Sequence, residues 1–402
     1  MLNPSIALLA SIASILILIR LKTHPGLAVF AGGFILALLV LPTHSIPSLM
    51  LQTLLNPQTI RLLAIVASAL TLSRLMEVKG LLTKLATAME RINSKLAMCL
   101  TPALIGLVSM PAGALVSAAA LQDLVKRTGL TPEQATFINY WFRHVWVYSL
   151  PVYPAIITAS VVLSVPLSSV VITLLPMTAL AIAFGTLSSY RMLKLKKAPE
   201  IRAKSSQNKL YTLLITSWPI LLVVLLVLVG LDAVVAFPLA LVLLALQQRA
   251  KWPEWKKAFK LGLDPKILLL LYAVMLYKET IESSGAAYAL LSDMQHIGLP
   301  ALAVLAALPF LIGFATGITT AFVGIAFPLL VPFITPDLQL NSYALLLGYT
   351  SGVVGYLLSP AHLCLIFSTD YFKANLAKVY RYIVPPLLAI EAIAVFIYHI
   401  AA

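Results

Sequence analysis

The sequence predicts an all-α membrane protein made of two inverted-topology repeats. Each repeat holds five transmembrane helices plus one re-entrant hairpin, and both termini lie outside. Three observations lead there: a composition too apolar for water, a one-sided distribution of basic residues, and a self-similarity between the two halves of the chain.

Of the 402 residues, 61% are hydrophobic and only 10% are charged. A soluble domain carries roughly 25% charged residues because its surface must face water. Apolar runs of transmembrane length recur from end to end, and no polar stretch is long enough for a separate soluble domain. The first nineteen residues hold no Lys or Arg, so the start reads as a spanning helix and not as a signal peptide. Cys99 and Cys364 are the only cysteines, both in apolar segments, which argues against a disulfide framework and a thiolate metal site alike.

Ten apolar windows read as spans: Ser5–Ile19, Leu27–Leu41, Arg61–Met76, Gln134–Val165, Ser168–Tyr190, Leu210–Gly230, Ala233–Leu246, Ile267–Glu282, Asn341–Asp370 and Val379–Ile400. Two further stretches, about 97–127 and 297–334, are broken at their centres. Met110-Pro111-Ala112-Gly113 interrupts the first and Thr316-Gly317-Ile318-Thr319-Thr320 the second. A hairpin that enters and leaves by the same face fits such a segment better than one clean helix.

The positive-inside rule decides the matter. With ten spans and two hairpins, one face collects the loops around residues 20–22, 79–95, 126–127, 191–209, 249–266 and 373–381. These contain 24 of the 28 basic residues. Treating either hairpin as a full span would invert every later loop and destroy the asymmetry. The net charge of +14 is thereby explained by retention at an anionic cytoplasmic leaflet, and no nucleic-acid partner is implied.

The halves resemble each other. Leu72–Gly80 parallels Tyr277–Gly285, Pro102-Ala103-Leu104-Ile105-Gly106 parallels Pro309-Phe310-Leu311-Ile312-Gly313, and Pro151 parallels Pro360. The offset drifts from 205 through 207 to 209. The first repeat therefore covers residues 1–205 and the second 206–402. Five spans is an odd number, so the second half enters the membrane upside down, an arrangement that lets two halves rock about one site.

Irregular backbone at membrane depth survives only where protein or a wet cavity satisfies it. Four places qualify. The hairpin tips offer Ser109, Gly113 and, one turn on, Ser117 in the first, and Thr316, Gly317, Thr319 and Thr320 in the second. Two proline breaks interrupt the long spans, at Tyr148-Ser149-Leu150-Pro151-Val152-Tyr153-Pro154 and Leu358-Ser359-Pro360-Ala361-His362. Half-helix N-termini at such breaks suit an anion, and freed carbonyls suit Na⁺ or a proton carrier. Helix packing of small residues and simple kinks are the structural alternatives.

Arg143 and His144 lie within a span beside Asn139. An intramembrane Arg costs roughly 2.5–3.5 kcal/mol on insertion scales, so it needs a partner or a task. Holding a substrate carboxylate is one task; pairing with Asp123 or Asp370 is the structural alternative. Asn139, Ser149, Ser359 and His362 join the candidate substrate site, with Asp123, Asp370, Ser117 and Gly317 as candidate ion or proton-coupling groups. Lys278 and Glu282, four apart, can neutralise each other, and Glu391 stands alone in the last span. No phosphate loop, H-E-x-x-H or Cys/His metal spacing is present, so neither an enzyme nor a cofactor is expected.

The five-span-plus-hairpin repeat resembles the ion transporter superfamily, with its divalent-anion/sodium symporters and its arsenite, gluconate and lactate permeases. Asn139-Tyr140-Trp141-Phe142-Arg143-His144-Val145-Trp146, Ser359-Pro360-Ala361-His362-Leu363-Cys364-Leu365 and Asp370-Tyr371-Phe372 are similar to an uncharacterised prokaryotic integral membrane family within it. The resemblance spans essentially the whole chain and implies a homodimer with an elevator-like moving domain of hairpins and broken helices. Val147 stands where that family often carries an acid. The Asn-Thr dipeptides of the sodium symporters are absent at both tips.

The expected activity is secondary active transport of a small organic anion, a carboxylate foremost, coupled to H⁺ or Na⁺ in the cell inner membrane. Export of a cationic or amphipathic compound, with Asp123 and Asp370 as binding charges, and a lipid-handling or intramembrane enzyme on the same scaffold are the alternatives.

Overall fold

A computed structural model describes residues 2–82, 84–85, 94–108, 113–194 and 209–401. Helices are the only regular elements among them. Many of their starts are written in the sequence as an Asn, Asp or Thr cap followed by proline in the first turn, where the missing N–H costs nothing. Asn3 caps α1 (Pro4–Arg20), Asn56 caps α4 (Pro57–Val78) and Asp264 caps α13 (Pro265–Ser284), each side chain accepting from a first-turn N–H at 2.8–2.9 Å. Thr131 and Gln134 form a reciprocal capping box on α7 (Pro132–His144).

Each expected span has a helical counterpart. Between α1 and α4 come α2 (Pro25–Val40) and a short α3 (Ile46–Leu55). The first interrupted stretch is α5 (Ser94–Gly106) and α6 (Gly113–Thr128), with its centre, Ser109 to Ala112, outside the described residues. The next span is broken into α7 and α8 (Pro154–Val162), and α9 (Leu167–Lys194) follows whole. The expected repeat boundary near residue 205 also lies outside the described residues.

The second half runs through α10 (Lys209–Leu228), α11 (Ala233–Gln247), α12 (Trp252–Gly262), α13 and α14 (Ala286–His296). Its interrupted stretch is α15 (Ala301–Thr316) and α16 (Thr319–Ile334). The second broken span is α17 (Ser342–Leu358) and α18 (Leu363–Phe372), and α19 (Leu376–Ala401) closes the chain. Helices α3, α12 and α14 were not expected. They are 10 or 11 residues long, too short to cross a bilayer core that needs about 20.

Among the described residues, four segments are long and apolar enough to cross a membrane by length and composition: Pro57–Val78, Leu167–Leu193, Ser342–Phe372 and Leu376–Ala401. Seven shorter apolar helices of 10–17 residues accompany them, including both arms of the second hairpin. Leu376–Ala401 is only 28% buried and Leu167–Leu193 39%, against 61% for the other two, so these two form the periphery. Leu175, Leu225, Leu246, Leu388 and Phe396 point outward, each at least 53% exposed, as a lipid-facing surface requires.

Apolar side chains pack into two clusters. The larger gathers α1, α2, the hairpin arms, the broken helices and α19; the smaller gathers α4 with α10, α11 and α12. Helix α12 docks on α4, with Gly262 against Thr71 and the Ala67 carbonyl, and Lys79 Nζ 2.6 Å from Glu254 Oε2.

Hairpins meet broken helices through matched contacts. In the first half, Gly106 abuts the Arg143 carbonyl and Trp146 Nε1 donates to Ala103 O at 2.7 Å. In the second, Gly313 abuts the Gly352 carbonyl and Gly355 abuts Phe310 O. Gly313 and Phe310 are 207 residues beyond Gly106 and Ala103, while Gly352 and Gly355 are 209 beyond Arg143 and Trp146.

Candidate functional site

The first break begins earlier than its prolines suggest. Helix α7 ends at His144, a 3₁₀ turn covers Val145–Tyr148, and α8 starts at Pro154. Arg143 and His144 therefore occupy the last turn of a half-helix, where unsatisfied carbonyls favour a cation. The second break runs from Ser359 to His362, between α17 and α18.

These breaks hold each other together. Buried carbonyls freed at a break need donors, and tyrosines across the molecule supply them. Tyr140 Oη donates to Leu357 O at 2.9 Å, and Tyr349 Oη donates to Val147 O at 3.0 Å. The two tyrosines are 209 residues apart. Tyr380 Oη reaches Leu358 O at 2.9 Å, and Tyr153 Oη reaches Gly106 O at 2.6 Å.

Arg143 is the only buried arginine among the described residues, at 5% exposure. Its guanidinium lies against the Cα of Gly113, so close that a β-carbon there would overlap Nη2, Cζ and Nη1. Gly113, at the edge of the first hairpin tip, thus brings backbone against the guanidinium. At the 209-residue offset from Arg143 stands Gly352, and the ring of Phe322 packs against it.

Asn139, fully buried, links α7 to α6 and α18: Nδ2 donates to Ala114 O at 3.1 Å and to Ser368 Oγ at 2.9 Å. Its Oδ1 is buried and has no hydrogen-bond partner among the described residues. His144 Nδ1 donates to the Tyr140 carbonyl at 2.6 Å. His362 Nδ1 lies 2.7 Å from Tyr140 Oη. The two imidazoles are 4.8 Å apart between centroids, and Tyr356 packs over His362 at 4.1 Å.

The second hairpin tip closes on the second break. Gly317 adopts φ +62°, open to glycine at little cost, and its Cα faces His362 N, the Ala361 carbonyl carbon and Ser359 Oγ. Thr316 Oγ1 accepts from Ile318 N–H at 3.3 Å, shaping the tip; Thr320 is buried and Thr319 half-buried. Ser359 Oγ accepts from Ala361 N–H at 3.2 Å, and Ser149 Oγ lies 2.7 Å from Thr178 Oγ1.

The structure thus gathers Gly113, Asn139, Arg143, His144, Gly317, Ser359 and His362 about the two breaks. Ser109 lies outside the described residues. Ser117 is buried, but its hydroxyl folds back onto the carbonyls of Gly113 and Ala114. Asp123 and Asp370 are exposed, and neither takes part in the four ion pairs found among the described residues. Lys278 pairs with Glu282 at 3.2 Å and reaches Gln58 Oε1 at 3.3 Å. Glu391 Oε1 accepts from Ser351 Oγ at 2.5 Å, and its Oε2 has no partner among the described residues.

Tyr140, Tyr356, Ser368 and Cys364 escaped the sequence reading as site residues. Tyr140 could have been found from the expected repeat, since Tyr349 lies at the same offset from it as Pro360 from Pro151. Among the described residues, clefts also open elsewhere. One of about 490 Å³ is lined by Arg61, Asp232, Ser160 and residues 164–168; another, about 590 Å³ and apolar, lies beside Cys99 and Trp146.

In fold, the chain is similar to the crystal structure of the YdaH transporter of Alcanivorax borkumensis, which is described as revealing an unusual topology. The two are 15% identical with a TM-score of 0.67, over 90% of this chain and 89% of that one. No curated protein matches the chain by sequence. Residues 3–401 match the family described as "Protein of unknown function (DUF401)", and the chain belongs to that family.

Proposed function

We propose that the protein is a secondary active transporter of a small organic anion, foremost a carboxylate, coupled to H⁺ or Na⁺ by elevator-like alternating access. The observation that carries this reading is Arg143. A buried guanidinium, presented at the end of a half-helix and faced by a glycine hairpin tip, is costly to place in a membrane protein and suits a carboxylate in a bidentate pair. Asn139 Oδ1, buried one helical turn earlier, offers an acceptor for a coupling cation or a substrate hydroxyl.

The architecture proposed is two inverted repeats, about 1–205 and 206–402, with both termini outside. The matched glycine and tyrosine contacts, offset by 207–209 residues, support the repeat. Support for the grouping of loops on two faces comes from polar pairs that join only residues assigned to one face: Arg61 with Asp232 and Asn56 with Glu279 on one, Lys79 with Glu254 and Tyr371 with Gln122 on the other, and the basic residues set which face is inside. The likeness in fold to a transporter points the same way. A homodimer in the inner membrane completes the reading. Exposed Asp123 and Asp370 weigh against their serving as buried binding charges for a cationic substrate.

The test is a thermal-stability screen of the purified protein against small carboxylates, oxyanions and amines, with and without Na⁺ and at two pH values. A ligand at 100 times its Kd stabilises the folded state by about 2.7 kcal/mol. The reading expects a carboxylate to raise Tm and Arg143→Ala to abolish the rise, followed by uptake in proteoliposomes. Stabilisation by amines alone, or a carboxylate effect indifferent to Arg143, would sink it.

A further inference from the structure

We propose that His144, His362 and Cys364 form a binding site for one transition-metal ion of the zinc class, with a fourth coordination position left open. The sequence argues against a metal because its two cysteines are isolated and His144 lies 218 residues from His362. Folding brings the first break's histidine beside the second break's histidine and cysteine. One ligand atom from each residue lies within 4.8 Å of the other two.

The hydrogen bonds around the histidines resemble those that orient metal-bound imidazoles. A ligating histidine characteristically donates its other ring N–H to a carbonyl or hydroxyl, which fixes the ring and raises its basicity. His144 Nδ1–H donates to the Tyr140 carbonyl at 2.6 Å. Because the Tyr140 hydroxyl hydrogen goes to Leu357 O, its oxygen is left to accept from His362 Nδ1–H at 2.7 Å. His144 is thereby left with Nε2 and its lone pair; the His362 ring also meets the Tyr356 carbonyl, a contact that metal binding would replace. Tyr140 touches both rings, and both histidines are 3% exposed.

Two imidazole nitrogens and one thiolate are a borderline-soft donor set, suited to Zn²⁺ and poorly suited to Mg²⁺ or Ca²⁺. Zn–N of about 2.0 Å and Zn–S of about 2.3 Å imply ligand-to-ligand edges of roughly 3.3–3.7 Å. Any separation as long as 4.8 Å must therefore close by about 1 Å, through small side-chain rotations on metal binding. Zn²⁺ with one thiolate keeps a net positive charge, and Arg143, next in sequence to His144, adds another. An anionic fourth ligand is then favoured, so the metal position and the proposed anion position adjoin. The metal proposal itself does not rest on the anion reading.

The experiment uses protein purified without a polyhistidine tag, stripped with chelator, and titrated with Co²⁺ alone and then Zn²⁺ alone, with no organic anion present. One Co²⁺ per chain is expected, with an intense near-ultraviolet thiolate-to-cobalt band and visible bands of tetrahedral strength, all removed by one equivalent of Zn²⁺. Cys364→Ser should abolish the near-ultraviolet band and weaken Zn²⁺ binding at least tenfold, and His362→Gln should weaken it comparably. Cys99→Ser should change neither.

Absence of the thiolate band, or a spectrum that survives Cys364→Ser, overturns the site. Should Cys364→Ser fail to fold, the Cys99→Ser protein gives a second readout: one equivalent of Zn²⁺ must protect Cys364 from alkylation. Lack of protection overturns the proposal equally. The titration contains no anion and the carboxylate screen contains no added metal, so failure of one reading is distinguishable from failure of the other.

Discussion

Arg143 is held by what its neighbours lack. Gly113 carries no side chain, and the guanidinium occupies the space a methyl group would need. Elsewhere in a helix, Gly→Ala gains up to about 1 kcal/mol. Here the methyl must displace the guanidinium, and overpacking of this kind costs about 1–3 kcal/mol. Gly113→Ala is therefore expected to weaken anion binding about tenfold while the protein stays folded, measured as the ligand concentration needed for a given rise in Tm. An unchanged concentration would show that the guanidinium can bind from a second position. Arg143→Lys keeps the charge and loses the planar fork, so it should fall nearer to Arg143→Ala than to the native protein in the same assay.

At the scale of elements, the two broken helices are stitched to each other by their own tyrosines. Tyr349→Phe removes one donor and leaves Val147 O buried without it. Tyr140→Phe removes a hydroxyl that serves both Leu357 O and His362 Nδ1. Each orphaned buried group costs about 1–3 kcal/mol, so Tyr140→Phe should lower Tm by more than Tyr349→Phe. The opposite order would mean that the second stitch matters more than the first. A different fastening holds α12 to α4. Glu254 also accepts from the Lys251 N–H at 2.7 Å, and the hydrogen bond from Lys79 is the first reason its carboxyl is held below the ordinary carboxylate range. A carboxylate with a depressed pKa stabilises the fold above its unfolded value, about 4.3, and the contribution is lost as pH falls through the folded value. The protection of α12 amides, taken relative to the intrinsic exchange rate at each pH, should thus be higher at neutral pH and fall below about pH 4. Glu254→Gln should already show the lower protection at pH 7, and equal protection in the two proteins would remove the pair from the docking.

Across the whole molecule, the all-helical, apolar character was legible in the sequence and the meeting of the site was not. Composition and the placement of Lys and Arg respond to the bilayer one residue at a time, so ten apolar spans and two interrupted stretches could be read without knowing any contact. Breaks announce themselves through Pro151 and Pro360. What no local pattern reveals is that α7 stops at His144, or that Cys364 comes to lie beside two histidines, because those are consequences of one break packing on the other. That meeting also supplies the sharpest test of alternating access. Arg143, His144 and His362 are each at most 5% exposed, so the site is closed in this conformation, and a transporter must open it to each face in turn. Cys364 sits half-buried at the second break, and in a Cys99→Ser background it is the only thiol in the chain. A membrane-impermeant maleimide should then label it in sealed vesicles of either orientation. Saturating anion should change the two rates in opposite directions, because a population drawn toward one face is withdrawn from the other. Labelling from one face only, unaffected by any anion that raises Tm, would describe a binding protein with a single mouth.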